Sequence, residues 1–171
     1  QTPEVTIVIP VYNEQAILSA SLSYLVDKLS LVDFTYEIIV AENGSTDDTI
    51  RIAQEYASRH PQIRVISAGE PNYGKALKQG ILDARGKYII CDEIDLCDVD
   101  FYVAALAKMR DENFQFVVGS KRAPGANDRR PMYRRVATQV LNLPSTSDVT
   151  SLAVGKKDFS CAVRSQGGVM C

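Results

Sequence analysis

The chain has 171 residues, 46% of them hydrophobic and 23% charged, which suits one globular domain with a substantial core. A net charge of -2 argues against a general nucleic-acid binder. No apolar run is long enough to span a bilayer, and no secretory signal opens the chain. The four cysteines, Cys91, Cys97, Cys161 and Cys171, show no zinc-like spacing, so reduced thiols and a cytoplasmic location are expected. The first residue is Gln1 rather than Met, as expected of an excised or processed piece.

Strand and helix signals alternate. Val5-Thr6-Ile7-Val8-Ile9 is a β-branched run predicted to stop at Pro10. Ile17, Leu18, Leu22, Leu25, Val26 and Leu29 recur at helical spacing, and Tyr36–Ala41 is a second strand. Asn43-Gly44 makes a turn, and Ser45-Thr46-Asp47-Asp48 is expected to cap the next helix with two acids in its first turn. Ile63–Ile66 is a third strand. Asn72-Tyr73-Gly74-Lys75 leads into a helix with Ala76, Leu77, Gly80, Ile81 and Ala84 on one face. Tyr88-Ile89-Ile90-Cys91 is a fourth strand, followed by a helix carrying Phe101, Ala105, Leu106 and Met109, then a strand over Phe114–Val118. That order predicts an α/β fold: a mostly parallel central sheet with helices on both faces. Arg129–Asn142 has a helical pattern, and residues 143–171 read as irregular.

Chemistry-bearing residues stand at successive strand ends, where sheets of this kind bind ligands. Pro10-Val11-Tyr12-Asn13-Glu14 offers an aromatic ring and a carboxylate for a nucleobase, although Tyr12 packed and Glu14 in a first helical turn is the plainer alternative. Glu42, before Asn43-Gly44-Ser45, is expected to point into the crevice and accept from a base N–H. Gly44 serves the turn, and Lys75 at a helix start adds charge near a phosphate or is an ordinary surface lysine. Asp92, Glu93 and Asp95 follow the fourth strand, and such clustered carboxylates suit a hard cation, with solvated loop residues or a helix cap as the plainer alternative. Asp98 and Asp100 are instead read as the start of a helix. A basic stretch with Lys121, Arg122, Arg129, Arg130, Arg134 and Arg135 is either a solvated face or a loop that folds over phosphate.

Together these stretches resemble the family 2 glycosyltransferases, the GT-A-fold group that includes polyprenyl-phosphate mannosyl- and glucosyltransferases. The resemblance runs from Val5 to Asn142 through Val5–Glu14, Glu37–Thr49, Asn72–Gly80, Tyr88–Leu96, Gly119–Arg122 and the Arg134-Arg135 region. It implies a Rossmann-like GT-A catalytic domain over residues 1–142, with 143–171 an incomplete acceptor-side part. It also implies an inverting transfer of sugar from a UDP- or GDP-sugar, with Mg²⁺ or Mn²⁺ on the diphosphate. The acceptor then expected is a polyprenyl phosphate, reached by peripheral membrane contact at most.

Carried over residue by residue, Pro10, Tyr12, Glu14, Glu42, Gly44, Lys75, Asp92 and Glu93 contact the donor, and Asp92, Glu93 and Asp95 supply the metal ligands. Arg122, Arg134 and Arg135 meet phosphate, and Arg122 with Asp148 serves catalysis, Asp148 as base for a hydroxyl acceptor. The chain departs from the family pattern where Glu42-Asn43 replaces Asp-Asp and where Glu93-Ile94-Asp95 replaces Asp-x-Asp. Two alternatives stay open: an inactive nucleotide-sugar-binding module, and a sugar nucleotidyltransferase, which the lack of a glycine- and arginine-rich loop after the first strand disfavours.

Overall fold

Val5–Val11 (β1) and Tyr36–Glu42 (β2) are interior strands of a sheet, and almost every side chain in them is buried. The computed structural model describes residues 2–112, 114–119 and 161–164, all within one compact unit. The further elements are Leu18–Leu29 (α1), Thr49–Arg59 (α2), Ile63–Ser67 (β3), Tyr73–Asp83 (α3), Tyr88–Cys91 (β4), Val99–Asp111 (α4), Phe116–Val118 (β5) and Cys161–Arg164 (β6). The sheet order is β3-β2-β1-β4-β6-β5. The first four strands in that order are parallel, and β6 runs antiparallel to both β4 and β5.

The strand period of two divides the core between the faces. Ile7, Ile9, Ile38, Val40 and Ile90 pack with Leu18, Leu22 and Leu25 of α1, Ala53 of α2, and Tyr102, Leu106 and Met109 of α4. On the opposite face Val8, Ala41, Ile89 and Cys91 pack against α3 through Ala76, Leu77 and Ile81. Helices therefore cover both faces, as the alternating sequence pattern predicts.

Helix α3 approaches β1 so closely that a Cβ on Gly80 would overlap Cγ1 of Val8. In a free helix Gly80→Ala would gain about 1 kcal/mol of propensity, but here the clash falls on a fully buried, β-branched side chain with no room to turn. Gly80→Val is expected to destabilise the fold by about 1–3 kcal/mol, the usual range for overpacking, read as a lower urea midpoint at unchanged slope.

Three expectations are corrected. Pro10 does not end β1, which continues to Val11. Val8 accepts from the Asp92 N–H on the β4 side, and Val11 accepts from Asn43 on the β2 side. By alternation Pro10 faces the β4 side, where the β1–β4 pairing has already ended at Val8–Cys91, so its missing N–H leaves no ladder bond unmade. Asp47 and Asp48 do not lie in the first turn of α2, which begins at Thr49. Asp47 instead reaches out to the Thr49 N–H at 3.0 Å. Residues 161–164, assigned to an irregular segment, form β6 inside the sheet. Four residues are too few to show a period, and only the flanking strands make them a strand.

Candidate active site

The chain leaves β1 for β2 and β3 on one side, then crosses back to β4 on the other. The switch point therefore lies between β1 and β4, and the crevice at their C-terminal ends is where an open α/β sheet places its ligand. Loop 12–17 and turn 92–98 border it, with loop 43–48 beside the first.

Loops 12–17 and 43–48 are clasped by their own polar groups. The Asn13 N–H donates to Ser45 Oγ at 3.1 Å, while Asn13 Oδ1 accepts from the Thr46 N–H at 2.8 Å. The Glu14 N–H reaches Thr49 Oγ1 at 2.8 Å, and the Gln15 N–H reaches Asp47 Oδ2 at 3.2 Å. The Asp48 N–H returns the contact to Gln15 Oε1 at 3.1 Å. Asn13 adopts φ 54°, a left-handed conformation that asparagine tolerates better than most residues. Tyr12, next to it, is left 42% exposed at the crevice edge.

Beneath the clasp, Glu42 departs from expectation. Its side chain is fully buried rather than pointing into the crevice. One carboxylate oxygen accepts from the Ser45 N–H and the other from Ser67 Oγ at 2.7 Å. The cause is register: Ser67 pairs with Glu42 across β2 and β3, and the chain after Asn43 folds back over the carboxylate. Gly44 makes that fold possible. Its φ is 72°, and a Cβ there would meet the backbone of Glu70 and Pro71 at 2.7–3.0 Å. The Asn72 N–H donates to Asn43 Oδ1, and Asn72 Oδ1 caps α3 by accepting from the Lys75 N–H at 3.0 Å. The Lys75 ammonium pairs with Glu70 at 2.8 Å on the surface.

The acidic turn after β4 sorts its residues by depth. Ile94 and Cys97 are buried in the core, Glu93 is half-buried and Asp95 is exposed. Asp95 makes no hydrogen bond or ion pair with another described residue. Asp92 is buried, and its oxygens accept from the Glu93 N–H at 2.8 Å, the Asp98 N–H at 3.2 Å and Tyr102 Oη at 2.5 Å. Burial, then the Asp92 carboxylate, push the Tyr102 phenol far above its ordinary value, so it stays protonated and donates. Burial, then the Asp92 and Asp95 carboxylates, push the Cys97 thiol up to about 12. Cys97 is therefore a neutral packing residue rather than a soft ligand. As read from the sequence, Asp98 caps α4, accepting from the Phe101 N–H at 3.0 Å.

The structure thus places Tyr12 and Glu14 just past β1, and Glu93 and Asp95 just past the neighbouring parallel strand β4, with Pro10 buried in β1 and Gly44 in the supporting turn. Arg122, Arg134, Arg135 and Asp148 lie outside the described residues. Sequence reading missed Ser67 and Tyr102. The available signal was parity: Asp92 follows Tyr88 and Ile90, whose side chains face α4, and Tyr102 lies one helical turn after Asp98.

The fold is shared with solved GT-A glycosyltransferases. Glucosyl-3-phosphoglycerate synthase from Mycobacterium tuberculosis, in complex with UDP, superposes with a TM-score of 0.59 at 22% identity, covering 95% of this chain and 57% of that one. A mannosyltransferase from Pyrobaculum calidifontis, in complex with GDP-Man and Mn²⁺, gives 0.56 at 23% identity, covering 71% and 36%. Residues 6–165 match the family described as glycosyl transferase family 2. The chain belongs to that family. It is 30% identical over 166 residues to an undecaprenyl-phosphate 4-deoxy-4-formamido-L-arabinose transferase from Yersinia pestis, covering 94% of this chain and 48% of the relative. The chain therefore spans about half the length of that curated relative.

Proposed function

We propose that this chain carries the donor-binding part of an inverting glycosyltransferase, moving sugar from a UDP- or GDP-sugar to a polyprenyl phosphate with Mg²⁺ or Mn²⁺ on the diphosphate. The observation that carries this reading is the exposed Asp95 carboxylate, with Glu93 beside it, held at the C-terminal end of β4 against the β1 switch point. The named relative acts on undecaprenyl phosphate, and the two structural neighbours hold UDP, or GDP-Man with Mn²⁺.

The donor atoms fit a hard cation, because both residues offer carboxylate oxygen. Among the described residues no three His, Cys, Asp or Glu side chains form a metal-holding group. The protein would supply Asp95 and Glu93, and the diphosphate and water would fill the remaining positions. When bound, the cation offsets negative charge on the departing diphosphate.

This chain's own residues do the positioning. Tyr12 presents its ring to the base, the clasped loops hold Glu14 beside the ribose, and Glu42 keeps the Ser45 turn in shape from below. Lys75, released from Glu70, serves the phosphates, as do Arg122, Arg134 and Arg135. A phosphate oxygen of the acceptor attacks the anomeric carbon as its bond to the diphosphate breaks, which inverts that centre. A lipid phosphate is already anionic and needs no general base, whereas a hydroxyl acceptor would call on Asp148. Among the described residues no helix is long and apolar enough to cross a membrane.

The test is calorimetric titration of UDP-glucose, UDP-N-acetylglucosamine and GDP-mannose with and without Mn²⁺, followed by transfer to polyprenyl phosphate in detergent. Binding of one base class that requires Mn²⁺, with label appearing on the lipid, is the expected result. Binding without transfer to any acceptor would leave a nucleotide-sugar-binding module, and no binding at all would overturn the reading.

A further inference from the structure

The donor-binding reading leaves unexplained why a carboxylate in the acidic turn is buried beneath α4. We infer that Asp92 and Tyr102 are a positioning pair: the buried Tyr102 hydroxyl and two backbone N–H groups fix the Asp92 carboxylate, and Asp92 in turn fixes the loop that presents Asp95 and Glu93. This inference rests on the reading of the acidic turn given above and assigns Asp92 a different task from cation ligation.

The geometry is that of a staple across the turn. Asp92 Oδ1 accepts from Glu93 at the turn's entry, and Oδ2 accepts from Asp98 at its exit, so one side chain closes a loop of six peptide steps. The 2.5 Å bond from Tyr102 Oη then ties that staple to α4, whose buried residues Tyr102, Ala105, Leu106 and Met109 belong to the main core. Within the loop, the Leu96 and Cys97 N–H groups both return to the Glu93 carbonyl, at 3.0 and 3.3 Å. Cys97 takes φ 47°, uncommon for a residue with a Cβ, and its thiol donates to the Ile94 carbonyl at 3.3 Å. Ile94 and Cys97 are drawn into the core while Asp95 between them is left outside. A turn with so many internal ties has little freedom, and little freedom is what a cation site needs from the residues behind its ligands.

Asp92 is poorly placed to ligate. Its side chain is 1% exposed, and the groups around both of its oxygens are donors that ligation would displace. Turning Oδ2 to the crevice would strand the buried phenol and the Asp98 N–H at the start of α4, and turning Oδ1 would strand the Glu93 N–H.

The test uses the full chain and four variants: Tyr102→Phe, Asp92→Asn, their double, and Asp95→Ala. Mn²⁺ affinity is read by electron paramagnetic resonance well below the melting point, where loss of stability alone does not alter it. Amide exchange at residues 93–98 is read without metal. The expected result is faster exchange in Tyr102→Phe, with Mn²⁺ binding weakened roughly 10–100-fold, the range for partners lying behind metal ligands. Asp92→Asn should weaken it by a similar factor, and the double variant should be no worse than the worse single. Excess Mn²⁺ should restore donor binding to Tyr102→Phe but not to Asp95→Ala.

Faster exchange with Mn²⁺ affinity unchanged in Tyr102→Phe would overturn the inference. So would Asp92→Asn abolishing Mn²⁺ binding as completely as Asp95→Ala while Tyr102→Phe binds normally, because Asp92 would then be a ligand. In both cases the wild type still binds Mn²⁺ and donor, and the donor-binding reading stands. A wild type that binds neither would remove that reading and this inference together.

Discussion

Asp95→Ala abolishes the Mn²⁺-dependent part of donor binding and leaves the fold unchanged. Asp95 is exposed at the crevice edge and makes no hydrogen bond or ion pair with another described residue, so its removal belongs with surface substitutions, within about 0.5 kcal/mol of wild type in stability. Its loss takes away one of two carboxylates available to a hard cation on the diphosphate. Donor affinity in Mn²⁺ should fall about 100-fold, equivalent to about 2.8 kcal/mol, while the weak metal-free affinity is retained. Calorimetry of both proteins with the same donor reads the first effect, and thermal unfolding reads the second. Equal affinity in the two proteins would move the cation away from this turn.

Glu37→Ala should be the most destabilising single change away from the crevice. Glu37 is buried at the opposite end of β2, where its carboxylate accepts from Thr6 Oγ1 at 2.8 Å, the Arg85 N–H at 2.8 Å and Arg64 Nε at 2.9 Å. The Thr6 hydroxyl in turn accepts from the Gly86 N–H at 2.8 Å, so one cluster ties β1, β2, β3 and the α3–β4 connection. Alanine would leave the Thr6 hydroxyl and the Arg85 N–H without their acceptor and take one acceptor from Arg64. Breaking a buried pair costs about 3–5 kcal/mol, and a value near the lower end, about 3 kcal/mol, is expected because Arg64 can still reach water. The Arg64 side chain is 25% exposed, which is why the lower end applies.

The same cluster predicts a pH dependence. Burial works to raise the Glu37 pKa, but hydrogen bonds from Arg64, the Arg85 N–H and Thr6, with the Arg64 charge, outweigh it and leave it below the ordinary 4.5. A carboxylate with a depressed folded value stabilises the protein fully above the unfolded value and loses that contribution as pH falls through the folded one. Wild-type stability should therefore drop as the pH falls below 4.5 in a way that Glu37→Ala does not share. Urea unfolding at neutral pH and below that value reads the difference. Parallel pH profiles would show that Glu37 carries no such linkage.

Much of the architecture was legible because strands buried on both faces and one-sided helices leave opposite periodicities. Ile7, Ile9, Ile38 and Val40 need no tertiary information to be read as core, and the acidic turn was visible as carboxylates closing an apolar strand. What escaped depended on partners distant in sequence. Pro10 looked like a stop because the sequence does not show that β4 ends before reaching it. Strand β6 is four residues whose only evidence is two neighbours. Glu42 looked available until the register placed Ser67 against it. Asp92 and Asp95 looked equivalent by composition, yet parity buries the first beneath Tyr102 and exposes the second.

The most direct measurement is a crystal of the protein grown with Mn²⁺ and whichever of UDP-glucose or GDP-mannose binds, with data collected at the manganese absorption edge. The expected result is one anomalous peak within ligating reach of the Asp95 carboxylate, with Asp92 still bonded to Tyr102. A peak held by Asp92 with the Tyr102 bond broken, or one away from turn 92–98 altogether, would contradict it.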